Sequence, residues 1–176
     1  MSFIKNIKRK IRSTVSSELC CINKRCAIIG AVIILLCGIL SAISTGSFSL
    51  FSEIKRPGLT PPAILFPIVW TVLYLLIGAA AGAVVCQKDR VLEVCRYRGL
   101  LLFVIMMVFN FIWSPLFFGA RAFFAALCAI VMMIILTVFI IGYFGRIYKI
   151  SAAALALYLL WLLFAAYLNL AVIILN

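Results

Sequence analysis

Residues 56–76, RPGLTPPAILFPIVWTVLYLL, crowd Pro61, Pro62 and Pro67 against an apolar run long enough to cross a bilayer. Proline lacks the backbone N–H, and hydrocarbon offers no water to a carbonyl left without a donor. The segment therefore reads as the entrance of a transmembrane helix. Thr60 is placed to cap it, Pro61 to take its first position, and Pro62 to lie in its first turn, where a missing donor costs little. Pro67 lies deeper. It would leave the carbonyl of Ala63 without its helical partner, which predicts a kink near the outer surface that turns Phe66 and Trp70 toward the mouth of a pocket.

Composition supports the membrane reading. The 176-residue chain is 68% hydrophobic and 11% charged, with a mean hydropathy of +1.31, where a soluble domain carries roughly a quarter charged residues. The 16 Lys and Arg against 4 Asp and Glu are read as loops held on the cytoplasmic side, not as a nucleic-acid footprint.

Five runs approach the roughly 20 apolar residues a span requires: Ala27–Phe48, Ala63–Cys86, Gly99–Phe118, Phe123–Gly145 and Ile150–Leu175. None contains an acidic or basic side chain, and the short gaps leave no room for a soluble domain. The expected fold is an all-α membrane protein, a five-helix bundle over residues 27–176 preceded by a basic extension over residues 1–26. The first run exceeds the roughly 7–15-residue core of a signal peptide, so a retained helix is expected. Thirteen Lys and Arg fall on the side of the N-terminus and three on the other. The positive-inside rule then puts the N-terminus in the cytoplasm and the C-terminus outside. In residues 3–15, Phe3, Ile4, Ile7, Ile11 and Val15 share one face opposite Lys and Arg, which suits a helix lying on anionic lipid; a basic tail without structure reads almost as well.

Several chemistries lack their residues. Histidine is absent, and with it the usual metal ligand, general base and proximal haem ligand. Glu18, Glu53, Asp89 and Glu93 all fall in tails or loops, so no span holds the titratable group that a proton-coupled carrier needs. No phosphate-binding G-x-x-x-x-G-K-[ST] loop occurs. The seven cysteines show no C-x-x-C spacing, and their odd number argues against structural disulfides, leaving packing as their expected role.

What the spans do carry is aromatic and amide. Phe66, Trp70, Tyr74 and Ile77 recur at helical spacing in the second span. Asn110, Trp113 and Phe117 share a face of the third, and Tyr158, Trp161, Ala165 and Asn169 a face of the fifth. An intramembrane Asn needs a partner, so both amides are expected to face the interior. Taken singly, each of these residues could be packing; three helices repeating one mixture point to a shared pocket with flat apolar walls and few polar groups. Gly78 and Gly82 form a G-x-x-x-G step, open either to internal packing or to a dimer contact.

The runs RPGLTPPAILFPIVWTVLY, FNFIWSPLFFG and YLLWLLFAAYLNLAVIILN, in that order on spans two, three and five, resemble the translocator protein family, TspO/MBR, also known as tryptophan-rich sensory or peripheral-type benzodiazepine receptor proteins. The likeness covers roughly residues 27–176. It implies a five-helix bundle, commonly a homodimer, with a pocket that opens toward the first loop and takes porphyrins, haem-pathway tetrapyrroles and, in animal members, cholesterol and benzodiazepine-type drugs. On matching positions that pocket would be lined by Phe66, Trp70, Asn110, Trp113, Phe117, Trp161, Ala165 and Asn169.

Two departures qualify what the likeness implies. Leu59 and Ile64 stand where the family's first loop usually carries tryptophans, so light-dependent porphyrin breakdown, in which an oxidisable loop indole is implicated, is not expected. Leu170 and Ile174 stand where the animal cholesterol pattern needs Tyr and a basic residue, so that mode of sterol binding is not expected either. The expectation is a ligand-binding protein with a sensory or transport-linked role, not an enzyme, with no required cofactor or metal. Its partners would be a tetrapyrrole or other apolar small molecule, the lipid bilayer and a second copy of the chain, and its setting a bacterial cell membrane. A porphyrin-degrading enzyme and a helical scaffold without a small ligand are the competing readings.

Overall fold

The computed structural model describes residues 17–43 and 60–176, together with Ser13 and Gly58. The amphipathic reading of residues 3–15, the last residues of the first expected span, and Leu59 lie outside these, Ser13 apart. The described chain forms five long helices: α1 (Lys24–Ile43), α2 (Leu65–Val85), α3 (Glu93–Ser114), α4 (Phe123–Gly145) and α5 (Lys149–Leu175). All five are long and apolar enough to span a membrane, and no strand occurs among the described residues. The α3 helix opens from a 3-10 turn, Arg90–Leu92, capped by the Asp89 carboxylate, and runs into a π-helical turn, Pro115–Gly119.

The helices pack in a closed order: α1 on α2, α3 on α4, α4 on α5, and α2 back against α5. Fully buried Ile77, Met106, Met133, Ile140, Phe144, Leu155, Tyr158 and Leu162 form the core between α2, α3, α4 and α5. The α1 helix lies outside that core, and of its residues only Gly38 is buried.

Glycine lets α1 approach. A Cβ on Gly30 would lie 2.4 Å from the Gly78 carbonyl oxygen and 2.9 Å from the Gly82 Cα; one on Gly82 would meet the Cys26 carbonyl oxygen at 2.2 Å. The G-x-x-x-G step is thus consumed inside the chain, backbone against backbone, and is not available as a dimer contact. At the other end of α1, a Cβ on Gly38 would lie 2.2 Å from the Tyr74 ring, so this glycine makes room for an aromatic side chain.

The cysteines correct one expectation. Cys26, in the first turn of α1, forms a disulfide with Cys86, the C-cap of α2, across a Cα–Cα distance of 6.3 Å. Sequence spacing could not show this pairing, because 60 residues separate the partners and only the α1–α2 packing brings the two ends together. Cys20, Cys21, Cys37, Cys95 and Cys128 remain free. The end of the basic extension is also tied down. A helical turn over residues 17–21 precedes α1, and the Glu18 carboxylate accepts from the Ile150 N–H at 3.0 Å, one of the unpaired donors at the start of α5. Burial raises the pKa of the nearby Tyr148 phenol above its ordinary value, with Cys21 and Glu18 adding to the shift.

The entrance to α2 also differs from its expected form. The helix begins at Leu65 with Ile64 as N-cap and no side-chain cap, so Thr60, Pro61 and Pro62 precede it. Pro67 is then the third helical residue, where an N–H has no intrahelical acceptor to lose. The Ala63 carbonyl accepts from the Phe66 N–H instead, at 3.3 Å. The expected kink therefore has no cause at Pro67, although Phe66 and Trp70 do face inward.

Two outcomes follow for solution work. Unreduced protein denatured in SDS should take up maleimide on five thiols and reduced protein on seven, a difference readable by mass shift. Gly78→Val should separate α1 from α2 and lower the detergent melting temperature by several degrees, more than Gly142→Val, where an added Cβ meets nothing within 4 Å.

Candidate ligand-binding site

The aromatic faces of α2, α3 and α5 converge on a cavity of about 170 Å³ at the end of the bundle that carries the α1–α2 connection. All eight residues expected to form a pocket line it: Phe66 and Trp70 from α2, Asn110 and Trp113 from α3, Phe117 from the π turn, and Trp161, Ala165 and Asn169 from α5. The α1 helix supplies Gly38, Ser41 and Ala42, a contribution its uniform apolar sequence did not signal. Tyr74, Ser114, Phe118, Leu168 and Val172 complete much of the wall, with Thr60, Ala63 and Pro67 at the α2 entrance. Among the described residues, no Asp, Glu, Lys or Arg lines the cavity.

Trp70 is the hub of the wall. Its ring lies 5.3 Å from Tyr74, 6.2 Å from Trp113 and 6.4 Å from both Tyr158 and Trp161, the last at 88°. Phe66 meets Trp161 edge-on at 6.0 Å, and Trp113 stacks on Phe117 at 5.3 Å. Edge-on and offset contacts match the quadrupoles of the rings and hold them in place, each adding about 0.5–1.5 kcal/mol beyond area burial. Flat apolar surfaces thus meet at steep angles around one space. Ile64, where the family's loop usually has an indole, is 71% exposed and outside this wall.

The two amides differ. Asn110 is 3% exposed and held on both sides: Tyr74 Oη donates to its Oδ1 at 2.7 Å, and its Nδ2 donates to Tyr158 Oη, also at 2.7 Å. Tyr158 Oη continues to Met133 Sδ at 3.6 Å. This network joins α2, α3, α4 and α5 directly beneath the cavity. Asn169 is 1% exposed, and neither its amide nitrogen nor its oxygen has a hydrogen-bond partner among the described residues. The indole N–H groups of Trp113 and Trp161 are likewise buried without an acceptor there.

Pro115 explains the local backbone. In a continuous α-helix its missing N–H would have served the Phe111 carbonyl. Ser41 Oγ on α1 donates to that carbonyl at 3.0 Å instead. The chain widens into the π turn, which closes with Ala120 N–H on the Pro115 carbonyl at 2.9 Å and swings Phe117 into the cavity wall. Arg121 then takes a left-handed φ of 52° to start the reversal into α4.

A five-helix membrane bundle with this aromatic and amide wall has direct relatives. The profile of the TspO/MBR family matches residues 29–175. The chain belongs to the TspO/MBR family. It is 36% identical over 126 residues to the tryptophan-rich protein TspO of Chlorobaculum tepidum, covering 72% of this chain and 78% of that protein. It is equally identical over 128 residues to the tryptophan-rich protein TspO of Archaeoglobus fulgidus, covering 72% and 79%. A translocator protein homolog of Schizosaccharomyces pombe is 30% identical over 122 residues, or 69% and 74% of the two chains. The TspO/MBR match takes in all five helices apart from the first turns of α1 and leaves out the basic extension.

In this TspO/MBR chain the Tyr74–Asn110–Tyr158 network should act as the floor that holds three helices in register. Tyr158→Phe would leave the Asn110 amide N–H without that acceptor. The expected cost, about 0.6–1.7 kcal/mol for an interhelical hydrogen bond in a membrane protein, is measurable by SDS-titrated unfolding. An unfolding curve that does not move would show that the amide finds another acceptor.

Proposed function

We propose that this protein is a membrane ligand-binding protein of the translocator type, which takes a flat, apolar, tetrapyrrole-like molecule between α1, α2, α3 and α5 in a sensory or transport-linked role. The observation that carries this reading is the convergence of Trp70, Trp113 and Trp161, from three different helices, on one cavity whose described lining carries no charge. Such walls offer a planar ligand stacking surfaces, while a few polar groups orient it. At about 170 Å³ the cavity is smaller than the roughly 300–1,000 Å³ usual for pockets that enclose a ligand. A macrocycle would enter by one edge and leave its carboxylates at the mouth, near Thr60 and Ala63. The charge bias of the loops favours a bacterial cell membrane with a cytoplasmic N-terminus, which would put that mouth on the outer side.

A second copy of the chain fits this reading only through a surface other than Gly78 and Gly82, which already hold α1.

The three tryptophans are the only ones in the sequence, and all line the cavity, so intrinsic fluorescence reports on this site alone. Protoporphyrin IX should quench it saturably. Trp161→Ala should weaken binding by roughly 2- to 10-fold, the value of one aromatic contact. Fluorescence indifferent to protoporphyrin IX, in wild type and variant alike, would sink the assignment.

A further inference from the structure

The α1–α2 pair is closed at one end by a covalent bond, and the place of that bond is informative. Cys26 lies in the first turn of α1 and Cys86 caps the end of α2. Both are partly exposed, and exposed Lys24, Arg25 and Lys88 stand beside them in sequence. This end of the bundle also collects most of the basic loop residues, so the charge bias puts it on the cytoplasmic side. Small thiols keep that compartment reducing, and the disulfides found there are usually transient, catalytic or redox-sensing.

The two sulfurs belong to helices that are held very differently. The end of α2 is fixed without the bond. Ala80, Ala81, Ala83 and Val84 are buried, the Gln87 N–H donates to the Val84 carbonyl at 3.2 Å, and Arg96 on α3 donates to the Gln87 carbonyl. By contrast α1 buries only Gly38, near its other end. Its first turn is capped locally, with Asn23 Oδ1 accepting from the N–H groups of Arg25 and Cys26 at 3.1 and 3.3 Å. Those bonds do not reach the bundle. The Glu18 hydrogen bond to Ile150 tethers the turn before α1, not α1 itself. Breaking the S–S bond therefore frees the start of α1 and leaves α2 in place.

We propose that Cys26–Cys86 is a thiol–disulfide exchange site, opened by an anionic small thiol of the glutathione class, and that its state sets how firmly α1 is seated on the bundle. The reagent thiolate attacks one sulfur of the pair, forming a mixed disulfide and expelling the other sulfur as a thiolate that takes a proton from water. A second reagent thiol attacks the mixed disulfide and releases the remaining cysteine. Two reagent thiols are oxidised to one disulfide, and the Cys26–Cys86 pair gains two electrons and two protons. Lys24, Arg25 and Lys88 favour the approach of an anionic reagent. The site rests on the cytoplasmic placement of this end and not on any ligand of the cavity.

Folded protein in detergent, equilibrated with graded ratios of reduced to oxidised glutathione, decides the matter. Thiols are trapped with maleimide and located by peptide mass, and the same samples are read for deuterium uptake along α1. Cys26 and Cys86 should pass reversibly from closed to open within the series. With the pair open, amides in the first turns of α1 should exchange at least about 10-fold faster, while α3, α4 and α5 keep their rates. Cys86→Ser should show the fast α1 exchange at every ratio. A pair that stays closed until the protein is denatured is a purely structural disulfide and overturns the exchange site, as does a pair open at every ratio. Opening without faster α1 exchange, or with equal acceleration in all five helices, overturns the seating role. If Cys86→Ser does not fold, the wild-type series still decides.

Discussion

Hydrocarbon supplies no hydrogen bonds, so every polar group that five helices carry into the bilayer must find its partner within the protein. The bundle meets that demand mostly through short, specific exchanges. Thr71 Oγ1 returns to the Pro67 carbonyl at 2.8 Å, Thr137 Oγ1 to the Met133 carbonyl at 2.7 Å, and Ser41 Oγ serves the carbonyl that Pro115 orphans. Tyr74, Asn110 and Tyr158 satisfy one another. Against that economy the exceptions are informative. The buried side-chain groups without a partner among the described residues belong to Trp113, Trp161 and Asn169, and all three line one cavity. Polar frustration is confined to the place where a ligand could relieve it.

The same demand makes the position of α1 matter. Ser41 reaches Phe111 only because α1 lies close against its neighbours, and Gly30, Gly78 and Gly82 permit that approach because a Cβ at any of them would strike the facing backbone. Further along, Gly38 leaves room for the Tyr74 ring, whose hydroxyl fixes Asn110. A larger residue at Gly30, Gly78 or Gly82, none of which lines the cavity, would disturb its floor without touching a ligand. The Cys26–Cys86 bridge closes the same helix pair at the other end, and Glu18 joins that end to α5. The α1 helix buries little side chain of its own and is held by close backbone contact, by the disulfide and by the Ser41 hydrogen bond to α3.

Much of this was legible in the sequence, and the reasons are physical. Helix number followed from the length of apolar run a bilayer requires, which leaves little freedom; the limits followed less closely, since α3 begins at Glu93, six residues before the apolar run at Gly99. The inward faces of α2, α3 and α5 followed from helical spacing, because Trp and Asn are conspicuous against Leu, Ile and Val. The α1 contribution did not follow: Gly38 and Ser41 act through the space they leave and one hydroxyl, neither of which a hydropathy pattern marks. The disulfide was hidden for a related reason, since 60 residues separate partners that only helix packing unites. The α2 entrance misled because proline restricts both itself and the residue before it. The Thr60-Pro61-Pro62 run stays outside the helix, and Pro67 arrives early enough to cost nothing. The two asparagines looked alike as letters. Only the tyrosines opposite Asn110 tell them apart.

The lack of charge among the described wall residues also bears on how such a protein could act. Moving a ligand against its gradient requires coupling to a charge that travels or titrates within the membrane. Among the described residues the cavity lining offers no Asp, Glu, Lys or Arg, and the span residues read from the sequence carry none either. A bound ligand can report its presence only through what it changes mechanically. The nearest movable parts are the rings around Trp70 and, through Tyr74, the Gly38 contact that seats α1. Because Tyr74 both lines the cavity and fills the space that Gly38 leaves, any displacement of its ring by a ligand must be felt by α1. That makes the α1–α2 pair the route by which binding would become a signal.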